Sequence, residues 1–447
     1  MKHFLLAAVA TVLITGIANA QTAPATLKFD FGTGNAAKGY TAVTPDTKFS
    51  YEKGYGFDQG SVVEAVDRGG KNNVKRDFIT SNKPFYFSVK LPDGNYDVKL
   101  VLGDKNGTSA TTVRAECRRL FLQNVRTKEG EVIEQSFTVH VKDSVIRQNG
   151  KPVSKVRLKT REITYLHWDN LLTIEFNDSL PKVCAVEITP NEKATTVFLA
   201  GNSTVVDQDR EPWAAWGQMF PSFFQPGNVV VANYAESGET LKAFKGARRL
   251  EKIWSMAKPG DFLFIEFAHN DQKPGPNYLD PFTTYKQTLK EWIAEARKRN
   301  ITPVLVTSMN RRSFDSTGHI TNTLLDFPEA MRQTGKEENV TVVDLNSMSK
   351  TLYEAWGEET SLRAFVHYPA NTFPGQTEAL KDNTHFSPYG AYELARCIVK
   401  ALQGTDLSFV KYFRKDIPAF DPANPDPLEK WYWPQSAMVS SVKPDGN

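Results

Sequence analysis

The sequence predicts a two-domain protein, in which an N-terminal β-sandwich is followed by an α/β/α domain with a parallel central sheet. Before about residue 192, short alternating runs are separated by turn signals; after it, strand-like runs alternate with helical stretches. The chain has 447 residues, of which 40% are hydrophobic. A chain of this length and composition can bury at least two separate cores.

The first twenty residues have the pattern of an export signal. Lys2 and His3 precede an apolar stretch at 4–17, and an Ala-Asn-Ala triplet follows at 18–20. A basic start, an apolar middle and small residues at the end are typical of a cleaved signal peptide. The apolar stretch is shorter than the ~20 residues of an ordinary membrane span. We therefore expect a signal peptide at 1–20 and an exported protein, periplasmic or secreted.

Residues 22–192 are the predicted β-sandwich. A Pro-Asp-Gly segment at 92–94 separates two strand-like runs, 85–91 and 96–102, a pattern that favours a β-hairpin. Further strand-like runs occupy 27–32, 137–141, 171–176 and 183–188. Many short strands with turn signals and no amphipathic helix between them are typical of a β-sandwich.

Residues 194–405 are the predicted α/β/α domain. Five short apolar runs indicate strands at 197–200, 229–233, 261–267, 301–307 and 340–344. Residues 285–299 and 389–402 have the spacing of helices. Strands that alternate with helices imply right-handed βαβ units and a parallel sheet covered on both faces. The Pro- and aromatic-rich residues 406–447 are predicted to be a tail packed on this domain.

Charge and cysteine content exclude several classes of partner and site. The net charge is +3 and no block of like charges occurs, so we expect no nucleic-acid partner. No segment after the signal is long and apolar enough to span a membrane, so we expect no membrane partner. The oligomeric state stays open. Cys117, Cys184 and Cys397 lack metal-type spacing. Export permits a Cys117–Cys184 disulfide, but the apolar surroundings of Cys184 equally indicate a buried thiol.

Polar residues follow the predicted strands where a ligand would bind. In open α/β sheets, ligands bind at the carboxyl ends of the strands. The polar stretches in question are 201–204, 233–238, 268–271 and 382–390. The first three follow consecutive strand runs and the fourth comes late in the chain, so all four could meet at one edge of the sheet.

These stretches contain the groups that acyl transfer needs. Ser203 could act as a nucleophile if His385 takes its proton, and Asp382 could orient that histidine. The N–H groups of Ser203 and Gly238 and the side-chain amide of Asn270 could bind the developing oxyanion. The sequence therefore predicts a Ser-His-Asp triad with an oxyanion hole.

Each residue also has a structural explanation. Ser203 could be a helix N-cap, Gly238 a turn residue and Asn270 an ordinary loop amide. Asp382 could cap the helix predicted at 389–402. The combination favours the catalytic interpretation, because all of these residues occur in a consistent order after predicted strands.

The four stretches resemble the conserved blocks of the SGNH (GDSL-type) hydrolases, esterases with a flavodoxin-like α/β/α fold. The resemblance covers roughly residues 194–405 and implies the following site residues: Ser203, Gly238, Asn270, Asp382 and His385. The family usually has Asp where this chain has Asn202, and Gly where it has Ala268. The G-x-S-x-G motif of another serine hydrolase class is absent around Ser203.

One branch of the family is more similar still. The stretches "GNSTV", "AHND" and "DNTHFSPYGA" look like the rhamnogalacturonan acetylesterases of carbohydrate esterase family twelve. The N-terminal "LKFDFGTG" looks like the galactose-binding-like β-sandwich that precedes this catalytic domain in many bacterial members. The resemblance implies a serine esterase that deacetylates pectic polysaccharide, with no metal and no cofactor.

Two alternatives to this function stay open at the level of sequence. One is an acetylesterase for xylan or another acetylated glycan, and the other is a carbohydrate-binding protein without turnover. Arg311 and Arg312 could bind the carboxylates of pectin or lie in a solvated loop. Trp213 and Trp216 could stack on sugars or pack in the core.

Overall fold

The computed structural model describes residues 26–445. The predicted signal peptide at 1–20 lies outside these residues. Within the described range, no helix combines the length and the apolar character that a membrane crossing requires. The fold confirms the predicted combination of a β-rich N-terminal unit and a second unit built on a parallel sheet.

The N-terminal unit is a sandwich of two sheets in which most strand pairs are antiparallel. Its strands are β1 Leu27–Phe31, β2 Thr41–Val43, β3 Tyr55–Asp58, β4 Glu64–Asp67, β5 Asp77–Thr80, β6 Phe85–Lys90, β7 Gly94–Gly103, β8 Ser109–Ala115, β9 Arg119–Thr127, β10 Val132–Val141, β11 Val145–Gln148, β12 Lys151–Lys155, β13 Leu171–Leu180 and β14 Lys182–Pro190. One sheet has the order β10-β7-β14-β1-β2, with β5 on β14 and β4 on β5. The other has the order β3-β6-β13-β8-β9, while β11 and β12 form a separate pair.

The predicted hairpin around residues 92–94 is wrong. Strand β6 pairs with β3 and β13 in one sheet, whereas β7 pairs with β10 and β14 in the other. The Pro-Asp-Gly segment therefore takes the chain across the sandwich. Both edges of β7 are occupied by distant strands, one of them the ten-residue β10, so no edge is left for β6.

The second unit contains a parallel sheet with the order β16-β15-β17-β18-β19. Its strands are β15 Thr195–Gly201, β16 Val229–Asn233, β17 Phe262–Glu266, β18 Thr302–Val306 and β19 Thr341–Val343, and a separate antiparallel pair consists of β20 Phe365–Tyr368 and β21 Leu380–Phe386. The α-helices are α1 Asn73–Arg76 in the sandwich, then α2 Trp216–Met219, α3 Leu241–Gly246, α4 Arg249–Met256, α5 Lys286–Lys298, α6 Phe327–Glu338, α7 Leu345–Ala364 and α8 Pro388–Gln403. Helix α7 is interrupted at Gly357, which has φ +68°.

The parallel sheet lies between two hydrophobic cores, because successive residues of β15 belong to different clusters. Val197 and Leu199 join a cluster with residues of α2, α7 and α8. Phe198 and Ala200 join another cluster with residues of α4, α5 and α6. Alternate side chains of a strand point to opposite faces, so the sheet is buried on both sides and its carboxyl edge is the polar end of the layer.

Short helical turns complete the fold and link the two units. The 3-10 turns are Thr160–Thr164, Phe220–Phe223, Val410–Tyr412 and Leu428–Lys430, and a π-helical turn at Pro281–Tyr285 leads into α5. Ile146, Val156 and Trp168, which precede the second unit in the chain, pack in the core beside α4 and α5. The N-terminal segment therefore contributes to the surroundings of the parallel sheet.

The C-terminal residues pack on both units rather than on the second unit alone. Phe409 and Phe413 join the core on the α8 side. Farther along, Asn177 of the sandwich donates to the Gln435 carbonyl at 3.0 Å. We call residues 438–445 the C-terminal strap. Its first residues pair with Glu211: the N–H of Glu211 donates to the Met438 carbonyl, and the N–H of Ser440 donates to the Glu211 carbonyl, each at 2.9 Å.

The cysteines are all buried thiols, and the Cys117–Cys184 disulfide considered above is not formed. Cys184 packs with Phe78 and Val101 in a small apolar cluster. Cys117 follows β8, in the opposite sheet from the strand β14 that carries Cys184. The two thiols belong to different layers of the sandwich. An oxidising compartment permits a disulfide, but it does not indicate which cysteines the fold brings together.

Candidate active site

Ser203 lies in the turn that follows β15. The first helix after it begins at Trp216 with Ala215 as its N-cap, so Ser203 caps no helix. The Ser203 side chain is buried, with only 1% of the residue exposed, and its hydroxyl has no hydrogen-bond partner among the described residues. Its carbonyl accepts a hydrogen bond from Gln208 at 2.9 Å. The capping explanation for Ser203 is therefore wrong.

A buried carboxyl group supports the turn that carries Ser203. Asn202 Oδ1 accepts from the N–H and the hydroxyl of Thr204, at 3.1 and 2.9 Å. The same hydroxyl oxygen lies 3.0 Å from Glu266 Oε2. Burial raises the pKa of Glu266 to about 6, although hydrogen bonds from its neighbours act in the other direction. Sequence reasoning missed Glu266, even though an acidic residue at the end of an apolar strand was a visible signal.

The structure brings Gly238 and Asn270 to the same sheet edge as Ser203. Strands β16 and β17 flank β15, and these two residues follow them. The N–H of Glu236 donates to the Gly201 carbonyl at 3.2 Å, which joins the loop after β16 to the end of β15. Gly238 has φ +80°, a conformation that side chains disfavour. Asn270 Nδ2 donates to the Glu239 carbonyl at 3.1 Å, so its amide has a fixed direction.

Asp382 and His385 form a buried pair on β21. His385 Nδ1 lies 2.8 Å from Asp382 Oδ2, and both residues are at most 2% exposed. Asp382 Oδ1 accepts from the N–H groups of Thr384 and His385 at 2.7 and 3.0 Å. Burial would raise the pKa of Asp382, but the imidazole and these N–H donors hold it well below its ordinary range. Ser387 is the N-cap of α8, so Asp382 is not a helix cap.

The segment that follows Ser203 contacts the Asp382–His385 strand. The N–H of Ala214 donates to the carbonyl of Phe386 at 2.9 Å. The Trp213 ring lies perpendicular to the His385 imidazole, with centroids 5.8 Å apart. Trp213 and Trp216 are both buried, and the Trp216 indole donates to Glu266 at 3.3 Å. Trp216 therefore packs in the core, whereas Trp213 lines the cavity beneath the C-terminal strap, to which its indole donates.

The two arginines after β18 are engaged with the protein. Arg311 donates to the carbonyls of Thr323 and His269 at 3.2 and 3.3 Å, and Arg312 donates to the Ser361 hydroxyl at 2.9 Å. Burial, together with the positive charge of Arg311, keeps the pKa of His269 well below its ordinary value. Arg311 and Arg312 therefore support the loops around the site, and a carboxylate ligand would need to compete with these contacts.

Two cations from the N-terminal segment lie at the entrance to the site. Arg161 Nη2 donates to Glu236 Oε1 at 2.6 Å and to the Ser237 carbonyl at 2.9 Å. Lys159 Nζ donates to the same carbonyl and pairs with Glu239 at 2.9 Å. Both cations hold the loop that carries Gly238. Sequence reasoning missed them, because no motif links residues 159–161 to the loop after β16.

The C-terminal strap crosses this entrance. Asp445 pairs with Arg161, and Lys443 Nζ lies 3.4 Å from Asp382 Oδ2. Trp213 Nε1 donates to the Ser440 carbonyl at 3.0 Å. A cavity of about 250 Å³ lies between the strap and the residues around Arg161, Gln208 and Ser237. The strap therefore lies over Trp213, Gly238 and Asp382, beside the buried serine and histidine.

A buried cluster of side chains under the loop after β16 contains residue types that bind metals. Neighbouring arginines, however, already pair with its carboxylates. Ligand atoms of Glu162, His167 and Glu236 lie within 4.8 Å of one another. Arg249 lies 2.5 Å from Glu162, and Arg161 lies 2.6 Å from Glu236. Burial and the adjacent Glu162 raise the pKa of Glu236 to about 7. Because the guanidinium groups repel a metal cation, we interpret the group as an ion-pair support.

Comparison with known proteins divides the chain in the same way. Residues 27–154 match the family described as beta-agarase/YXIM esterase-like, galactose-binding domain-like, and residues 199–391 match the GDSL-like Lipase/Acylhydrolase family. Rhamnogalacturonan acetylesterase RhgT of Bacillus subtilis (strain 168) is 42% identical over 214 residues, which are 47% of this chain and 91% of that protein. The uncharacterized esterase YxiM of the same strain is 25% identical over 418 residues, 90% of this chain and 98% of that protein.

Proposed function

We propose that this chain, which belongs to the GDSL-like lipase/acylhydrolase family, removes acetyl groups from acetylated pectic polysaccharide. Family membership makes it a carboxylic ester hydrolase. The catalytic roles of individual residues and the identity of the glycan are the proposal. Export by the predicted signal peptide would bring the enzyme to its polymeric substrate outside the cytoplasm.

The observation that carries the proposal is the buried hydrogen bond between Asp382 and His385 at 2.8 Å. This bond directs Nδ1 toward the carboxylate and leaves Nε2 as the atom that can take a proton. Asp382 is held ionised by the imidazole and by two N–H donors. An anion in this position stabilises the imidazolium that forms during proton transfer.

The proposed reaction has two steps. His385 takes the proton of Ser203 while the serine oxygen attacks the acetyl carbonyl, and the oxyanion is bound by the N–H groups of Ser203 and Gly238 and by the amide of Asn270. His385 then protonates the leaving sugar oxygen, which leaves an acetyl-serine. Water, deprotonated by the same histidine, attacks this ester, and acetate departs as the serine regains its proton.

Two observations support pectic polysaccharide as the substrate class. The relative that is 42% identical is named as a rhamnogalacturonan acetylesterase. In addition, Arg161 directs Nη1 toward the entrance, while Glu236 pairs with Arg161 and Glu239 with Lys159. Positive side chains at an entrance favour a polymer that carries carboxylates.

The test is acetate release from acetylated rhamnogalacturonan by the mature protein and by Ser203→Ala. We expect a loss of at least about 10³-fold in the variant, since it lacks the nucleophile. Ser255→Ala is the matched control, because the half-buried Ser255 hydroxyl only donates to the Lys252 carbonyl within α4. Acetylated xylan is assayed in parallel with both variants.

The outcomes separate the parts of the proposal. Retention of activity by Ser203→Ala would contradict the proposed nucleophile. Preferential release from acetylated xylan, with Ser203 still required, would retain the mechanism and replace the substrate. Absence of release from every ester would favour a carbohydrate-binding protein without turnover.

A further inference from the structure

The C-terminal strap places a carboxylate at the entrance to the candidate active site. Asp445 pairs with Arg161, whose guanidinium is fixed from behind by Glu236 and by the Ser237 carbonyl. A methyl group added at Gly238 would lie 3.0 Å from Asp445 Cβ and 3.2 Å from Lys159 Nζ. The Asp445 side chain therefore lies against the residue proposed to donate to the oxyanion.

We propose that Arg161 and Lys159 form a subsite for the carboxylate of a uronate sugar, and that Asp445 of the chain's own strap occupies this subsite as an intramolecular competitor. The inference rests on the proposed function, because it takes the substrate to be an acidic polysaccharide. It adds that residues from the N-terminal segment, outside the parallel-sheet unit, determine selectivity for charge.

The chemistry of the subsite matches a carboxylate ligand. Arg161 uses Nε and Nη2 for Glu236 and the Ser237 carbonyl, so only Nη1 faces the strap, where it meets Asp445. An arginine fixed in this way presents a donor of defined direction, and charge-assisted hydrogen bonds to carboxylates are stronger than neutral ones. A uronate in place of Asp445 would make the same contact.

The position of the subsite suits a sugar next to the acetylated one. Gly238 adjoins Asp445 and Lys159 and lies in the loop after β16, the strand that neighbours the β15 strand leading to Ser203. A carboxylate held against Gly238 is therefore beside the acetyl group that the proposed oxyanion hole would hold, and a polysaccharide chain can supply both groups. Binding energy from such a neighbouring sugar can position the ester for attack.

The ion pair between Asp445 and Arg161 is exposed, so a ligand can displace Asp445 from it. The Asp445 side chain is 59% exposed and that of Arg161 is 31% exposed. Exposed ion pairs contribute little stability and are weakened by salt. By contrast, the preceding residues 438–440 are anchored through Glu211 and through the Trp213 indole. Residues 441–445 can therefore leave the entrance while the strap stays attached at its base.

A cationic entrance also favours exchange of one anion for another. Burial lowers the pKa of Lys273, and the positive charges of Arg311 and Lys443 lower it further. Of these cations, Lys443 lies 3.4 Å from Asp382 Oδ2. When residues 441–445 leave, Lys443 leaves with them, and Arg311 and Lys273 remain as the cations that attract an acidic oligosaccharide but not a neutral one.

The experiment measures binding of unacetylated trigalacturonate to the full chain by titration calorimetry. This ligand contains no ester, so the result does not depend on turnover. We expect Asp445→Ala to lower the Kd three- to tenfold, because the competitor is removed, and Arg161→Ala to raise it at least tenfold. Asp416→Ala is the matched control: Asp416 also forms an exposed ion pair, with Arg414 at 2.6 Å, away from the entrance. Xylotriose is the neutral comparison ligand.

Three outcomes would overturn the inference: a Kd for Asp445→Ala within twofold of the parent, equal weakening of trigalacturonate and xylotriose by Arg161→Ala, or no binding of trigalacturonate by any form. Asp445→Asn separates charge from bulk and should also bind more tightly. The esterase assay with Ser203→Ala is independent of this titration. Failure of the proposed catalysis and failure of the uronate subsite are therefore distinguishable.

Discussion

Two ion pairs at the same end of the molecule are held in opposite ways. The Asp382–His385 pair is buried, with Asp382 2% exposed, and both residues belong to one short strand. The Arg161–Asp445 pair lies at the entrance, with the Asp445 side chain 59% exposed, and joins residues 284 positions apart. The proposed reacting groups are thus locally fixed, whereas the entrance depends on contacts between distant segments.

The difference has an energetic consequence. Removal of one partner of a buried pair leaves an uncompensated charge and costs about 3–5 kcal/mol. Removal of one partner of an exposed pair costs about 0–1 kcal/mol. Variants that break the inner pair should therefore lose stability as well as activity, whereas variants of the strap should change access and charge selectivity with little effect on stability.

The largest effect is expected from Asp382→Asn. An amide cannot hold the same imidazole tautomer, so kcat for 4-nitrophenyl acetate should fall by about 10⁴-fold. Asp445→Asn makes the same chemical change at the entrance and should alter kcat by far less than tenfold. If kcat fell to a similar extent in both variants while their circular dichroism stayed native, the distinction between inner site and entrance would be wrong.

The next largest effect is expected from Gly238→Ala. Gly238 has φ +80°, and an added methyl group would approach Asp445 and Lys159. We expect a loss of about 10²-fold in kcat/KM, because the strained loop would move an oxyanion donor. Gly260→Ala is the matched control, since Gly260 has φ +92° with no neighbour within 4 Å.

Both glycine variants should lose about 1–2 kcal/mol of stability from the left-handed backbone. Only Gly238→Ala, which alters a donor of the proposed oxyanion hole, should lose activity. Chemical denaturation together with ester hydrolysis measures the two effects separately. An equal loss of activity in Gly260→Ala would assign the effect to general strain.

A smaller, pH-dependent effect is expected where the C-terminal residues are anchored to α8. Glu393 accepts from the N–H of Asp426 at 3.1 Å, and burial raises its pKa to about 8. Stability from the protonated carboxyl is full below the unfolded pKa of about 4.5 and is lost as pH rises toward 8. The free energy of unfolding should therefore decline over this range.

Glu393→Gln should flatten that decline by an amount on the order of 3 kcal/mol, because the amide has no proton to lose. Urea denaturation at about pH 5 and pH 8 measures it. Glu291→Gln, at an exposed position on α5, is the control and should retain the parental slope. A parental slope in Glu393→Gln would assign the decline to other buried carboxyl groups.

The smallest effect is expected from Lys443→Ala. Its side chain is 48% exposed and its ammonium lies 3.4 Å from Asp382 Oδ2. We expect less than a threefold change in kcat/KM, and the difference should disappear at about 0.5 M salt, where exposed charges are screened. A large, salt-independent change would show that the strap belongs to the inner site.

The sequence by itself determined the fold class and the order of the candidate residues. Apolar runs with period two and helical stretches identify the strands and helices locally, and parallel strands bring their carboxyl ends to one edge. Ser203, Gly238 and Asn270 follow three adjacent strands for this reason. The Asp382–His385 spacing was equally local, since a few residues of chain connect the two side chains.

Only the tertiary structure decided which distant segments meet. The turn at 92–94 was recognisable, but the partners of β7 come from β10 and β14, so the hairpin interpretation failed. Glu266 became part of the serine turn only through the register of β15 with β17. Arg161 and Asp445 met because the N-terminal segment and the strap pack on the same edge of the sheet. Such contacts depend on the packing of whole units, which no local pattern of residues specifies.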